Sequence, residues 1–179
     1  MKKKASTSIR TLTCSALLAA ASIVIGILCK NYLNFGNGLF RITFENFPIL
    51  LSGILFGPMA GAGVGAVADI VSYILSTQSF AISPLVTLGA AAVGLFSGLV
   101  SRYVFKKWNG KKLVFSALAG HLAGSILIKS PALFIYYGWA VLVRIPLYGV
   151  IALLEILLLL ALNKKKVFHR IINIRRENQ

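Results

Sequence analysis

A chain of 179 residues that is 58% hydrophobic and only 13% charged has too little charge to cover a soluble domain of its size, and reads as an integral membrane protein. Its net charge of +15 would suit nucleic acid, but 15 of the 19 Lys and Arg fall in three clusters that flank apolar runs. That is the pattern of cytoplasmic loops under the positive-inside rule; base-reading motifs and interleaved aromatics are missing, so nucleic acid is excluded as a partner.

The first apolar run, about residues 10–29, follows Lys2, Lys3, Lys4 and Arg10. From Thr11 to Cys29 it is long enough to span at about 1.5 Å per residue, so it reads as a retained helix and not as a cleaved signal. Cys14 and Cys29 have no His or Cys partner at metal-ligand spacing and read as small apolar fillers. Ala16 and Ala20 form a small-xxx-small pair, which lets another helix approach closely where lipid supplies no hydrophobic drive.

Residues 30–45 form a long aromatic loop with a turn at Phe35-Gly36-Asn37-Gly38, able to fold back as a lid. Two short apolar segments follow, 46–57 and 59–76, joined at Gly57-Pro58. In lipid both arms must be helical, because the bilayer core offers no water to unpaired amides. In the second arm Gly61, Gly65, Asp69 and Tyr73 recur every four residues, so a smooth glycine face leads to a carboxylate and a phenol. Further apolar runs at 84–104, 113–136 and 139–162, then a basic tail over 163–179, complete a single membrane domain of six helices. Both termini and the cluster from Arg102 to Lys112 are expected on the cytoplasmic side.

Asp69, His121, Lys129, Arg144 and Glu155 lie inside apolar runs. Each unpaired charge at depth costs at least about 2.5–3.5 kcal/mol, so these side chains should face the bundle interior and find partners. Arg144, Tyr148 and Glu155 are 4 and 11 positions apart and fall within about 40° on one helical stripe. The expected site is an outer-half pocket built from Arg41, Phe44, Asp69, Tyr73, His121, Lys129, Tyr136, Arg144 and Tyr148. Such a set suits a flat heteroaromatic ring bearing carboxylates: aromatics stack on the ring, the guanidinium forks a carboxylate, and Asp69 accepts from ring N–H groups. A structural Asp69–Arg144 or Asp69–Lys129 bridge and a proton or ion relay through Asp69, His121 and Glu155 are the rival readings.

The chain resembles the substrate-binding subunits of energy-coupling-factor vitamin transporters. The resemblance rests on the basic start, Ala16-Leu-Leu-Ala-Ala20, Arg41-Ile-Thr-Phe-Glu-Asn-Phe-Pro, Gly53-Ile-Leu-Phe-Gly-Pro and Gly65-Ala-Val-Ala-Asp69. It implies an all-α fold of six membrane helices in a bacterial cell membrane, and a vitamin held under the first loop. It also implies docking of Ala16 and Ala20 on a transmembrane coupling subunit, and ATP hydrolysis by two separate ATPase subunits. The absence of a Gly-x-x-x-x-Gly-Lys-Ser/Thr loop agrees with that division. Ile82-Ser-Pro-Leu-Val-Thr-Leu-Gly-Ala, His121 to Ser130 and Arg144-Ile-Pro-Leu-Tyr148 resemble the folate-type branch. The chain departs from that branch after the third helix, where Ile82-Ser-Pro-Leu-Val-Thr replaces an aromatic-Pro-Gly-Phe-Thr motif, so another B vitamin or precursor stays open. No catalytic residue, metal site or cofactor is expected. An intramembrane enzyme or a self-sufficient ion-coupled carrier are the other classes, set back by the lack of His-Glu-x-x-His spacing and of an inverted repeat.

Overall fold

The computed structural model describes residues 2–35, 40–76, 83–105 and 108–164, with the side chains of 2–8, 35, 40, 136 and 140 left aside. Most of the expected turn at Phe35-Gly36-Asn37-Gly38, most of the loop at 77–83 and the tail beyond Lys164 lie outside the described residues.

Helix α1 covers Lys2–Tyr32 and leads into a two-residue antiparallel ladder, β1 (Asn34–Phe35) with β2 (Phe40–Arg41), in which Asn34 pairs with Arg41. Next come α2 (Asn46–Phe56), α3 (Pro58–Ile74) and α4 (Pro84–Leu99), the last continuing as a π-helical turn over Val100–Val104. Helix α5 (Gly110–Gly120) passes through a π-helical stretch, His121–Lys129, into α6 (Ser130–Tyr137). A 3-10 turn, Gly138–Val143, enters α7 (Arg144–Asn163). Among the described residues four helical runs are long and apolar enough to cross a membrane: Ile9–Tyr32, Pro84–Val104, Gly110–Ile135 and Val141–Asn163. Helices α2 and α3 are shorter, 11 and 17 residues.

Helix α2 is apolar on all sides because it is surrounded by protein, with Ile49, Leu50 and Ile54 essentially without exposure, packed with Val93, Leu113 and Leu159. The α2–α3 corner needs Gly57, whose φ of +102° only glycine adopts without strain, and Pro58 then opens α3 at its first turn. Helices α3 and α4 meet backbone to backbone: a Cβ on Gly65 would collide with the Ala90 carbonyl, and one on Gly94 with the backbone of Gly61.

The helices run antiparallel, so Arg10, Arg102, Lys111, Lys112 and Lys164 gather at one end and the ladder sits at the other. At the basic end Trp108 Nε1 donates to Asn163 Oδ1 at 2.8 Å, tying the α4–α5 connection to the end of α7. Among the described residues, Lys30, Arg41, Lys129 and Arg144 belong to the ladder end.

Candidate functional site

The ladder end holds a partly open cavity of about 40 Å³ bordered by Arg41, Thr43, Glu45, Asn46, Tyr73, Val86, Ser125, Lys129, Leu133, Arg144 and Tyr148. The segment between β2 and α2 delivers Arg41 and Glu45 four residues apart, and Arg41 Nη2 meets Glu45 Oε1 at 2.9 Å. Arg41 Nη1 also reaches the Tyr73 hydroxyl on α3 at 3.4 Å. From the π-helical stretch, Lys129 donates to Asn46 Oδ1 at 3.3 Å and stands 4.0 Å from Glu45 Oε1. Arg144 opens α7 and lies 4.9 Å from the Tyr137 ring centroid, with the half-buried Tyr148 one turn further on.

Glu45 is the hub of this cluster. Burial pushes its carboxyl upward, but Arg41, then Lys129 and Lys30, outweigh that and hold it below the usual carboxylate range. Burial likewise opposes the Arg41 charge, while Glu45 and the Tyr73 hydroxyl raise it above its ordinary value. The pair is therefore ionised at neutral pH. The cavity lining then carries three cations, Arg41, Lys129 and Arg144, against one carboxylate. A site with these cations, two phenols and the small polar groups of Thr43, Asn46 and Ser125 can take an anion with an attached ring.

Among the residues expected at the site, Arg41, Tyr73, Lys129, Arg144 and Tyr148 border this one cavity. Asp69 does not; it is buried beside it and accepts from Thr87 Oγ1 at 2.7 Å. Among the described residues no ion pair joins Asp69 to Arg144 or Lys129, so neither structural bridge is present. His121 stands away from the lining, in contact with Glu155, which corrects its expected place in the pocket. Phe44 is half-buried outside the lining, and the Tyr136 side chain falls outside the described residues. Ala16 and Ala20 are exposed on α1.

Sequence reasoning missed Glu45, Asn46 and Ser125 as lining residues. Arg41 and Glu45 at i, i+4 were the available signal for the first, and Ser125 stands four before Lys129. Lys30, expected in the loop, instead occupies the last turn of α1 with 1% exposure. It donates to Ser72 Oγ and lies 3.8 Å from the Tyr73 ring centroid.

Comparison with known proteins agrees with this architecture. The solved structure of FolT bound with folic acid superposes with a TM-score of 0.65, over 86% of this chain and 94% of that one, at 22% identity; the likeness is one of fold. The riboflavin transporter FmnP of Bacillus subtilis (strain 168) is 31% identical over 90 residues, covering 50% of this chain and 47% of FmnP, so the match spans about half of that relative. The family model described as "ECF transporter, substrate-specific component" matches residues 10–174. With that match over most of its length, the chain belongs to the family of substrate-specific components of ECF transporters.

Proposed function

We propose that this chain binds folate, or a related B vitamin, in the ladder-end cavity and hands it inward when docked on an energising module of one coupling subunit and two ATPase subunits. The observation that carries the folate reading is the surplus of cations in the lining, Arg41, Lys129 and Arg144 against Glu45. A ligand with two carboxylates complements that excess of cationic over anionic side chains, which supports folate over a neutral ligand. Tyr73 and Tyr148 supply faces for a flat ring.

Riboflavin is the second reading, favoured by the match to FmnP over half of the chain. Its isoalloxazine ring suits the tyrosines, but it lacks the anionic groups that the lining calls for. The positive-inside rule supports an orientation with the end bearing Arg10, Arg102, Lys111, Lys112 and Lys164 in the cytoplasm, both termini there, and the ladder facing outward. Six crossings follow when α2 and α3 count as short spans inside one membrane domain. The setting is a bacterial cell membrane.

Calorimetric titration of the detergent-purified chain with folic acid and riboflavin tests the proposal. Saturable binding of folic acid at low-micromolar concentration or below, without riboflavin binding, is expected. Binding of riboflavin alone moves the assignment to the second reading, and silence with a full vitamin panel removes vitamin binding altogether.

A further inference from the structure

Three residues on one stripe of α1 touch the walls of the cavity from behind. Ser22, Gly26 and Lys30 are spaced every four residues and share a helical face. The Ser22 hydroxyl donates to the Glu45 carbonyl at 2.7 Å. Gly26 lets Glu45 and Ser72 lie close on the helix, since a Cβ there would stand 2.9 Å from Glu45 Oε2 and 3.2 Å from Ser72 Cβ. Lys30 ends the stripe, and its position decides how Tyr73 is held.

Lys30 does not border the cavity, whereas Tyr73 does. The ammonium stands 3.8 Å from the centroid of the Tyr73 ring, and its donated bond to Ser72 fixes it to the residue that precedes Tyr73 on α3. Arg41 lies 5.9 Å from the same centroid and donates to the phenol oxygen. A desolvated ammonium over an aromatic face is a strong orienting contact. A lysine with 1% exposure in a membrane helix is costly to keep, and no carboxylate lies within ion-pair distance of it among the described residues. Its contacts are the tyrosine ring and the serine hydroxyl.

We infer that Lys30 is a positioning residue of the ligand site, acting through Tyr73: it holds the ring as a fixed wall of the cavity without touching the ligand. This rests on the reading of the cavity as the vitamin site. It also places the exposed Ala16 and Ala20 stripe and the back wall of the cavity on one continuous helix.

The test is a double-mutant cycle on the full chain in detergent, titrated with folic acid and with riboflavin. Lys30→Met is expected to weaken binding of whichever probe the wild type binds by at least about tenfold. In the Tyr73→Leu background the same substitution is expected to change affinity by less than about twofold. Lys30→Gln, which retains a donor toward Ser72 but no charge, is expected to follow Lys30→Met, and it carries the comparison where the Met variant is not monodisperse. Lys30→Met and Lys30→Gln binding like wild type overturns the inference while leaving the vitamin site intact. An undiminished loss in the Tyr73→Leu background also overturns it, because Lys30 would then act independently of the ring. A wild-type chain that binds neither probe removes the site reading and this inference together.

Discussion

His121 Nε2 approaches Glu155 Oε2 to 2.8 Å across the interface between the π-helical stretch and α7, with Glu155 fully buried. The approach is a close contact and not an aligned hydrogen bond. Removing one partner leaves a buried polar group without its contact, at a cost of about 1–3 kcal/mol, whereas replacing both by apolar groups of similar shape is close to neutral. Glu155→Ala is therefore expected to lower the midpoint of thermal unfolding sharply, and His121→Leu with Glu155→Leu to recover most of the loss. Vitamin affinity of the double variant should stay within about threefold of wild type, since neither residue borders the cavity. An unchanged midpoint in Glu155→Ala would remove the pair's structural role.

Arg144 borders the cavity at the start of α7, buried to 6% exposure. Arg144→Ala is expected to lower affinity for the carboxylate-bearing ligand by more than about tenfold, about 1.4 kcal/mol or more, with folding intact. Calorimetry alongside size-exclusion chromatography checks it. Undiminished affinity would leave Arg144 as a packing residue on Tyr137.

Ala16 and Ala20 face outward from α1, away from the stripe that touches the cavity. Ala16→Trp and Ala20→Trp are expected to abolish vitamin uptake in cells that carry the energising module, while the purified variants bind ligand as wild type does. Loss of both activities would contradict the separation of docking face and site.

Glu45 titrates below the usual carboxylate range in the folded chain. A group whose folded pKa is depressed contributes stability above its unfolded pKa, about 4.3 for Glu, and that stability disappears as pH falls through the folded value. From neutral pH down to about pH 5 this contribution should be flat, and below about pH 4 it should fall. Glu45→Gln is expected to be less stable than wild type at neutral pH and to show a shallower acid limb. Parallel acid limbs in detergent unfolding would exclude Glu45 as the responsible group.

The helices were legible because the apolar runs, broken at Gly57-Pro58 and Pro84, carry their boundaries openly. The site was legible where a charge interrupts a run, as at Lys129 and Arg144. Lys30 was not, because a cation at the end of a run is assumed to leave for water, and nothing local announces the Ser72 and Tyr73 that draw it inward. The stripe of Arg144, Tyr148 and Glu155 was legible with its depth: 11 residues are about 16 Å along an α-helix, which puts Glu155 on the same face but away from the cavity that Arg144 and Tyr148 border. His121 was misplaced through depth: it stands eight residues before Lys129, about 12 Å along a helix, and meets Glu155 instead of the cavity.

The volume bordered by Arg41, Tyr73 and Arg144 is about 40 Å³, room for about three water molecules, against at least about 300 Å³ for a site that holds a drug-sized ligand. Capture is thus governed by time as well as by contact. On the reading of this cavity as the vitamin site its walls must part to admit the ligand, and the backbone contact of α3 with α4 at Gly61, Gly65 and Gly94 is the part least able to give way. Association then becomes a gated event, its rate levelling off with concentration at the frequency of that opening, and the same gate, once shut, lengthens the residence of what it holds.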